Sequence, residues 1–176
     1  MSEDLRYPIG PFVLPDAVPD ADRAGMLEQV AAAPALLRSA VDGLSDAQLD
    51  TPYRPEGWTV RQVVHHVPDS HLGAYTRFKL ALTEPVPVIK PYQEARWAEL
   101  PDTAGTPIET SLRLLELLHQ RWLVLLRAMD GPAWARGYFH PERGRVLRLD
   151  QTLALYAWHG RHHAAHVTRL RERRGW

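Results

Sequence analysis

Four histidines, His159, His162, His163 and His166, stand at i, i+3, i+4 and i+7. On a helix those positions form one stripe, stacked turn over turn. Imidazole is the commonest metal ligand, and an i, i+4 pair can grip one ion from a single helix. Thr152, Leu155 and Tyr156 precede the histidines on the same stripe and Leu170 follows them, so this face is expected to point into a core. One inward histidine is ordinarily a core residue hydrogen-bonded at both nitrogens. Four are hard to satisfy that way, because each buried polar group needs a partner. The spacing therefore points to a metal site. A second group, His65, His66 and His71, precedes it in the chain.

These residues need helices to carry them. Prolines 8, 11, 15 and 19 make residues 1–20 an extended leader, since proline removes donors and fixes φ. A helical apolar pattern runs from about Asp22 to Val41, with a kink or restart expected at Pro34 and a stop at Gly43. Ser45 with Gln48, and Thr59 with Gln62, read as capping boxes. The second box opens a helix to about Leu82 that carries His65, His66 and His71, with Pro68 inside it. Residues 84–107, rich in proline, form a long connection that serves as a lid, a site wall or a plain crossover.

Thr106-Pro107 with Glu109 predicts an N-cap, a proline at the first helical position and a capping acid. The third long helix then runs to about Met129. His119 falls one position off its apolar stripe, so it reaches the site or only the surface. Residues 133–149 are irregular, with room for a short hairpin. Asp150 is the expected N-cap of the histidine helix, and Arg169, Arg171, Arg173 and Arg174 its solvated, dipole-favoured end. Four long helices, one long crossover and no strand array predict an all-α, antiparallel four-helix bundle filling a single domain, 1–176. Bundles build metal sites from facing helices, here the second and fourth.

Composition narrows the chemistry. Lys plus Arg and Asp plus Glu both number 21, so the formal net charge is zero. A nucleic-acid binder usually shows a basic excess. There is no cysteine, which removes disulfides, thiolate zinc sites and a cysteine nucleophile; any reacting thiol must arrive with the substrate. No apolar run spans a bilayer and the acidic N-terminus leads into no signal region, so the expected location is the cytoplasm.

Several stretches resemble the YfiT family, of the DinB-like superfamily of metal-binding bundles. They are Tyr53-Arg54-Pro55-Glu56-Gly57-Trp58, Thr59 through His66, Asp69-Ser70-His71, Arg77 through Glu84, His119-Gln120-Arg121-Trp122, His140-Pro141-Glu142, and Tyr156 through His166. The likeness covers nearly the whole chain, including Tyr7-Pro8-Ile9-Gly10. It implies a bundle of the DinB/YfiT type and a cytoplasmic homodimer with one divalent metal per subunit, zinc or nickel. It implies a metal-dependent hydrolase, or a thiol S-transferase joining a low-molecular-weight thiol such as bacillithiol to an electrophile. The family's ligands are a histidine on the second helix, eight residues after a tryptophan, and an H-x-x-x-H pair on the last. Carried onto this chain they are His66, His159 and His163. Helical spacing alone places His71 nearer the centre of the apolar face, so it stays as the alternative to His66. Pro68 stands where relatives typically have alanine.

Three neutral imidazoles would leave a metal its full charge and open positions, as in catalytic rather than structural zinc sites. Such an ion lowers the pKa of water toward ~7, and equally holds a substrate thiol as thiolate. The third reading is a metal-stabilised binding bundle without turnover. Asp69 is either an exposed helix acid or the orienting partner of a ligand imidazole. His162 and His166 are candidates for anion binding, proton relay or packing. Tyr92, Glu94, Trp97 and His140 are candidates for the pocket wall of a small-molecule site.

Overall fold

The computed structural model describes residues 4–176. In chain order the elements are α1 (Asp20–Val41), α2 (Asp46–Leu49), α3 (Val60–Thr83), α4 (Glu94–Trp97), α5 (Pro101–Gly105), α6 (Ile108–Arg127), α7 (Gly131–Ala135), β1 (Gly137–His140), β2 (Arg145–Arg148) and α8 (Leu149–Arg174). The long helices α1, α3, α6 and α8 make the predicted four-helix bundle. The strands form a small antiparallel hairpin, with Gly137 opposite Arg148 and His140 opposite Arg145. No helix among the described residues is long and apolar enough to cross a membrane.

Side-chain contacts fix the helix directions. Val30 meets His119 and Arg38 meets Glu109, so α1 and α6 are antiparallel. Ser70 meets His159, while His66 packs on His163, so α3 and α8 are antiparallel as well. The other two neighbouring pairs run parallel, which corrects the antiparallel packing expected for the bundle: His65 and His71 of α3 meet Ser111 and His119 of α6, and Arg171 of α8 meets Ala40 of α1. The consecutive long helices α1 and α3 therefore lie across the diagonal. Parallel α3 and α6 require a connection that climbs the length of the bundle, which is why residues 84–107 are so long. The short α4 and α5 lie within it.

Both sequence-read capping boxes form, at Ser45 with Gln48 and at Thr59 with Gln62. α1 passes Pro34 without a restart and ends at Val41, as expected. Two boundaries differ from the reading. Pro107, not Thr106, is the N-cap of α6, and it makes no side-chain cap; Glu109 is drawn away to Arg38 at 2.7 Å. Arg148, not Asp150, caps α8, because the Gln151 side chain accepts from the Arg148 N–H at 3.0 Å. Asp150 is instead fully buried, paired with Arg148 at 2.7 Å.

Residues 6–18 of the leader lie on the bundle, along α8. Trp158 donates to the Gly10 carbonyl, Gln151 to those of Pro15 and Asp16, and His166 meets that of Arg6. The arginine tail is more engaged than expected. Arg171 donates to the carbonyls of Ala40 and Asp42, satisfying the end of α1, and Arg173 donates to that of Tyr53.

Two apolar clusters fill the interior. One gathers around Phe78, Trp122, Leu153 and Tyr156, the other around Leu37, Val63, Val64, Leu115 and Val167. His71, His119 and His159 fall between them on their helices. At this level α1 and α8 approach closely: a Cβ on Gly160 would stand 2.6 Å from the Cβ of Ala33. Gly160→Ala would gain up to ~1 kcal/mol of helix propensity. The clash is with a short side chain fixed to a helix, not with a flexible tip, so overpacking of about 1–3 kcal/mol outweighs that gain. A lower urea midpoint for Gly160→Ala at unchanged m-value is the expected result; an equal or higher midpoint would refute the close approach.

Candidate metal centre

His66 and Ser70 stand one turn apart on α3, and His159 and His163 one turn apart on α8. The antiparallel contact of these helices turns the two pairs toward each other. One ring nitrogen from each of His66, His159 and His163 lies within 4.8 Å of the others, and no other group of three potential ligands among the described residues does so. The ring centroids are 5.4 Å apart for His66 and His159, 4.9 Å for His66 and His163, and 4.5 Å for His159 and His163. Trp58 packs on the outer face of His66 at 4.7 Å.

A cavity of about 390 Å³ opens on the cluster, bounded by Trp58, Ser70, Arg77, Tyr92, His140 and Tyr156 among others. Burial lowers the His66 pKa to about 4. Burial and then the neighbouring imidazoles hold His159 and His163 well below the ordinary histidine value. All three are neutral at pH 7, with lone pairs available. The Nδ1 of His163 is buried and has no hydrogen-bond partner, a cost that a bound ion or a shift of the ring on binding would relieve. The donor set suits a borderline divalent ion.

The other sequence candidates separate cleanly. His71 is outside the cluster: its Nδ1 meets His119 Nε2 at 2.7 Å and its Nε2 meets His159 Nδ1 at 3.1 Å. His162 and His166 lie under the leader, where His162 stacks on Trp158 and His166 on Tyr53, each at 4.0 Å. Asp69 makes no hydrogen bond to any histidine. It lies half-buried in an adjoining groove of about 730 Å³ with Leu72, Tyr92 and Trp97, where burial, then Asp102, raises its pKa to about 6.

The crossover is a site wall, as one reading of its length proposed. Tyr92 and Glu94 line the histidine cavity, as does His140 of the hairpin, whereas Trp97 packs on Tyr92 at 4.7 Å from the groove side. The Tyr92 hydroxyl lies 3.5 Å from His66 Nδ1, and burial raises its pKa, so it stays protonated. Ser70, Arg77 and Tyr156 were not singled out as lining residues. The signal existed for two of them, because His66, Ser70 and Arg77 fall at i, i+4 and i+11 of one helix.

Known proteins resemble the chain along nearly its whole length. Residues 29–167 match the family model described as the DinB superfamily. The chain belongs to the DinB superfamily. Within it, the chain is 45% identical over 175 residues to a Bacillus subtilis (strain 168) protein named "Putative metal-dependent hydrolase YfiT", with 99% of this chain and 98% of that one covered. It is 49% identical to a Bacillus mycoides (strain KBAB4) protein of similar name over 174 residues, 99% of each chain. The solved structure of Bacillus subtilis YfiT superposes with a TM-score of 0.95 over 98% of this chain and 99% of that one. It is described as a probable metal-dependent hydrolase of unusual four-helix bundle topology. In this DinB-superfamily chain, α1 and α3 lie diagonally opposite.

Proposed function

We propose that His66, His159 and His163 hold one divalent ion, zinc or nickel, and that the protein is a metal-dependent hydrolase of a small molecule bound in the adjoining cavity. The observation that carries this reading is the convergence of three neutral imidazoles, with no carboxylate among them, at the floor of a walled cavity. When bound, such an ion supplies Lewis acidity toward a water or thiol nucleophile. The chain's own residues do the rest. Trp58 packs on His66 and limits the tilt of its ring. Tyr92 closes the cavity from the crossover and offers a hydroxyl proton beside His66. Glu94 and Glu142 are the carboxylates on the wall, placed to take or give a proton. Arg77, with no carboxylate partner among the described residues, faces the cavity from α3 and offers a guanidinium to an anionic substrate group.

Arg77 also favours a second reading, a thiol S-transferase whose low-molecular-weight thiol carries an anionic group; in a chain without cysteine that thiol would arrive as substrate. Ion-free protein, reloaded with zinc or nickel, should be assayed against esters and amides in water alone, and against electrophiles with and without added thiol. Ion-dependent turnover in water supports the hydrolase. Turnover only with a thiol moves the assignment to the transferase. Stoichiometric ion with neither activity leaves a binding bundle. The same reading takes the protein as a cytoplasmic homodimer with one ion per subunit, which sedimentation and metal analysis test together.

A further inference from the structure

His71 and His119 are almost completely enclosed, at 0% and 2% exposure, and neither touches the cavity. Their hydrogen-bond partners are other imidazoles and one backbone carbonyl, with no carboxylate among them, as suits neutral rings. A neutral imidazole has one donor and one acceptor nitrogen, and which is which follows from its partners. His119 Nδ1 lies 2.8 Å from the Val30 carbonyl, which can only accept. The proton is therefore on Nδ1, and His119 Nε2 must accept. Its partner at 2.7 Å is His71 Nδ1, which must donate. His71 Nε2 is then an acceptor, and at 3.1 Å it takes the Nδ1 proton of His159. His159 is left with its lone pair on Nε2, beside Ser70 Oγ at 3.4 Å.

The direction of the whole chain is set at its far end by one backbone group. Val30 is four residues before Pro34, and proline has no N–H to occupy that carbonyl. The proline that α1 tolerates in its interior thus frees the acceptor that His119 uses. The relay takes one member from each long helix: Val30 from α1, His119 from α6, His71 from α3 and His159 from α8.

We propose that His71 and His119 are positioning residues, forming with the Val30 carbonyl a relay that fixes His159 as its Nδ1–H tautomer and so presents its Nε2 lone pair to the ion. The proposal rests on the reading of His159 as a ligand. The orienting role that carboxylates fill at many zinc-bound histidines falls here to a buried histidine pair, not to Asp69.

The first test needs no variant and no metal. Long-range nitrogen–proton NMR correlations of the ion-free protein at pH 7.5 should show His119, His71 and His159 all protonated at Nδ1. A proton on Nε2 of any of the three overturns the relay. If that pattern is present but His159→Ala retains the ion, the ligand reading fails while the relay stands, so the two failures are distinguishable. The second test uses His119→Phe, which keeps a ring but removes the acceptor for His71. Zinc affinity measured by chelator competition should fall about 10- to 100-fold, although every proposed ligand remains. His119→Gln, which restores an acceptor, should recover most of it. An affinity unchanged in a folded His119→Phe overturns the positioning role, as does equal loss in the Gln and Phe variants. If His119→Phe does not fold, the tautomer assignment and the Gln variant still decide.

Discussion

His163→Ala will lose the divalent ion, and His162→Ala, its neighbour on the same helix and just as buried, will keep it. Structural zinc sites are worth roughly 10–16 kcal/mol across four ligands, so one imidazole contributes about 3 kcal/mol, or more than a hundredfold in affinity. At micromolar protein that difference separates a chain that carries its ion through purification from one that does not. The same loss is expected for His159→Ala and His66→Ala. It distinguishes them from His71→Phe, whose expected effect is the smaller one of a partner behind a ligand. Metal content by mass spectrometry, on tag-free protein purified without chelator, decides between these patterns. Full occupancy in His163→Ala, or an ion lost from His162→Ala, would contradict the cluster of His66, His159 and His163.

That contrast also explains what was legible in the sequence. The four histidines of α8 follow a 3.6-residue period, and a periodic stripe announces both a helix and its inward face. It does not say which members meet a second helix, because that depends on where α3 crosses. On α3 the periodicity was less helpful. The centre of an apolar face is its most enclosed line, which suits a residue like His71, bonded at both nitrogens inside the bundle. A candidate ligand stands instead at the edge of that face, where the helices part and a cavity begins. His66 is there, and it came from the family resemblance, not from its phase.

Local rules read the two capping boxes correctly, because Ser45 with Gln48 and Thr59 with Gln62 need only three residues to form. They misplaced Asp150, whose carboxylate is recruited by Arg148 and by the Val18 N–H from the leader. Pro34 was read as a kink or a restart. The Val30 carbonyl that it leaves free is taken by His119 of another helix, 89 positions further along the chain, beyond the reach of any local pattern.

Acid will destabilise the ion-free protein well above the range in which exposed carboxylates titrate. Burial lowers His66, His119 and His166 to about 4 and His162 to about 3, against ~6.5 in an unfolded chain. For each, the folded form binds fewer protons between those limits, so stability is complete above about pH 6.5 and falls as pH drops toward the folded value. At pH 5 each of the four contributes a loss of about 2 kcal/mol by this linkage. Several such losses together rival a whole domain's stability of about 5–15 kcal/mol. Asp69 acts in the opposite direction. Its pKa is raised to about 6, so acidification from pH 7 to 5 relieves about 1 kcal/mol of strain on its buried charge, too little to reverse the trend. Urea midpoints of ion-free protein should therefore be level from pH 8 to 7, fall below pH 6.5, and approach zero near pH 5. A bound ion occupies the lone pairs that protons would take, so the loaded protein should hold its midpoint to lower pH. A midpoint unchanged from pH 7.5 to 5 without ion would mean that these imidazoles are solvated rather than enclosed, and would contradict their burial between the helices.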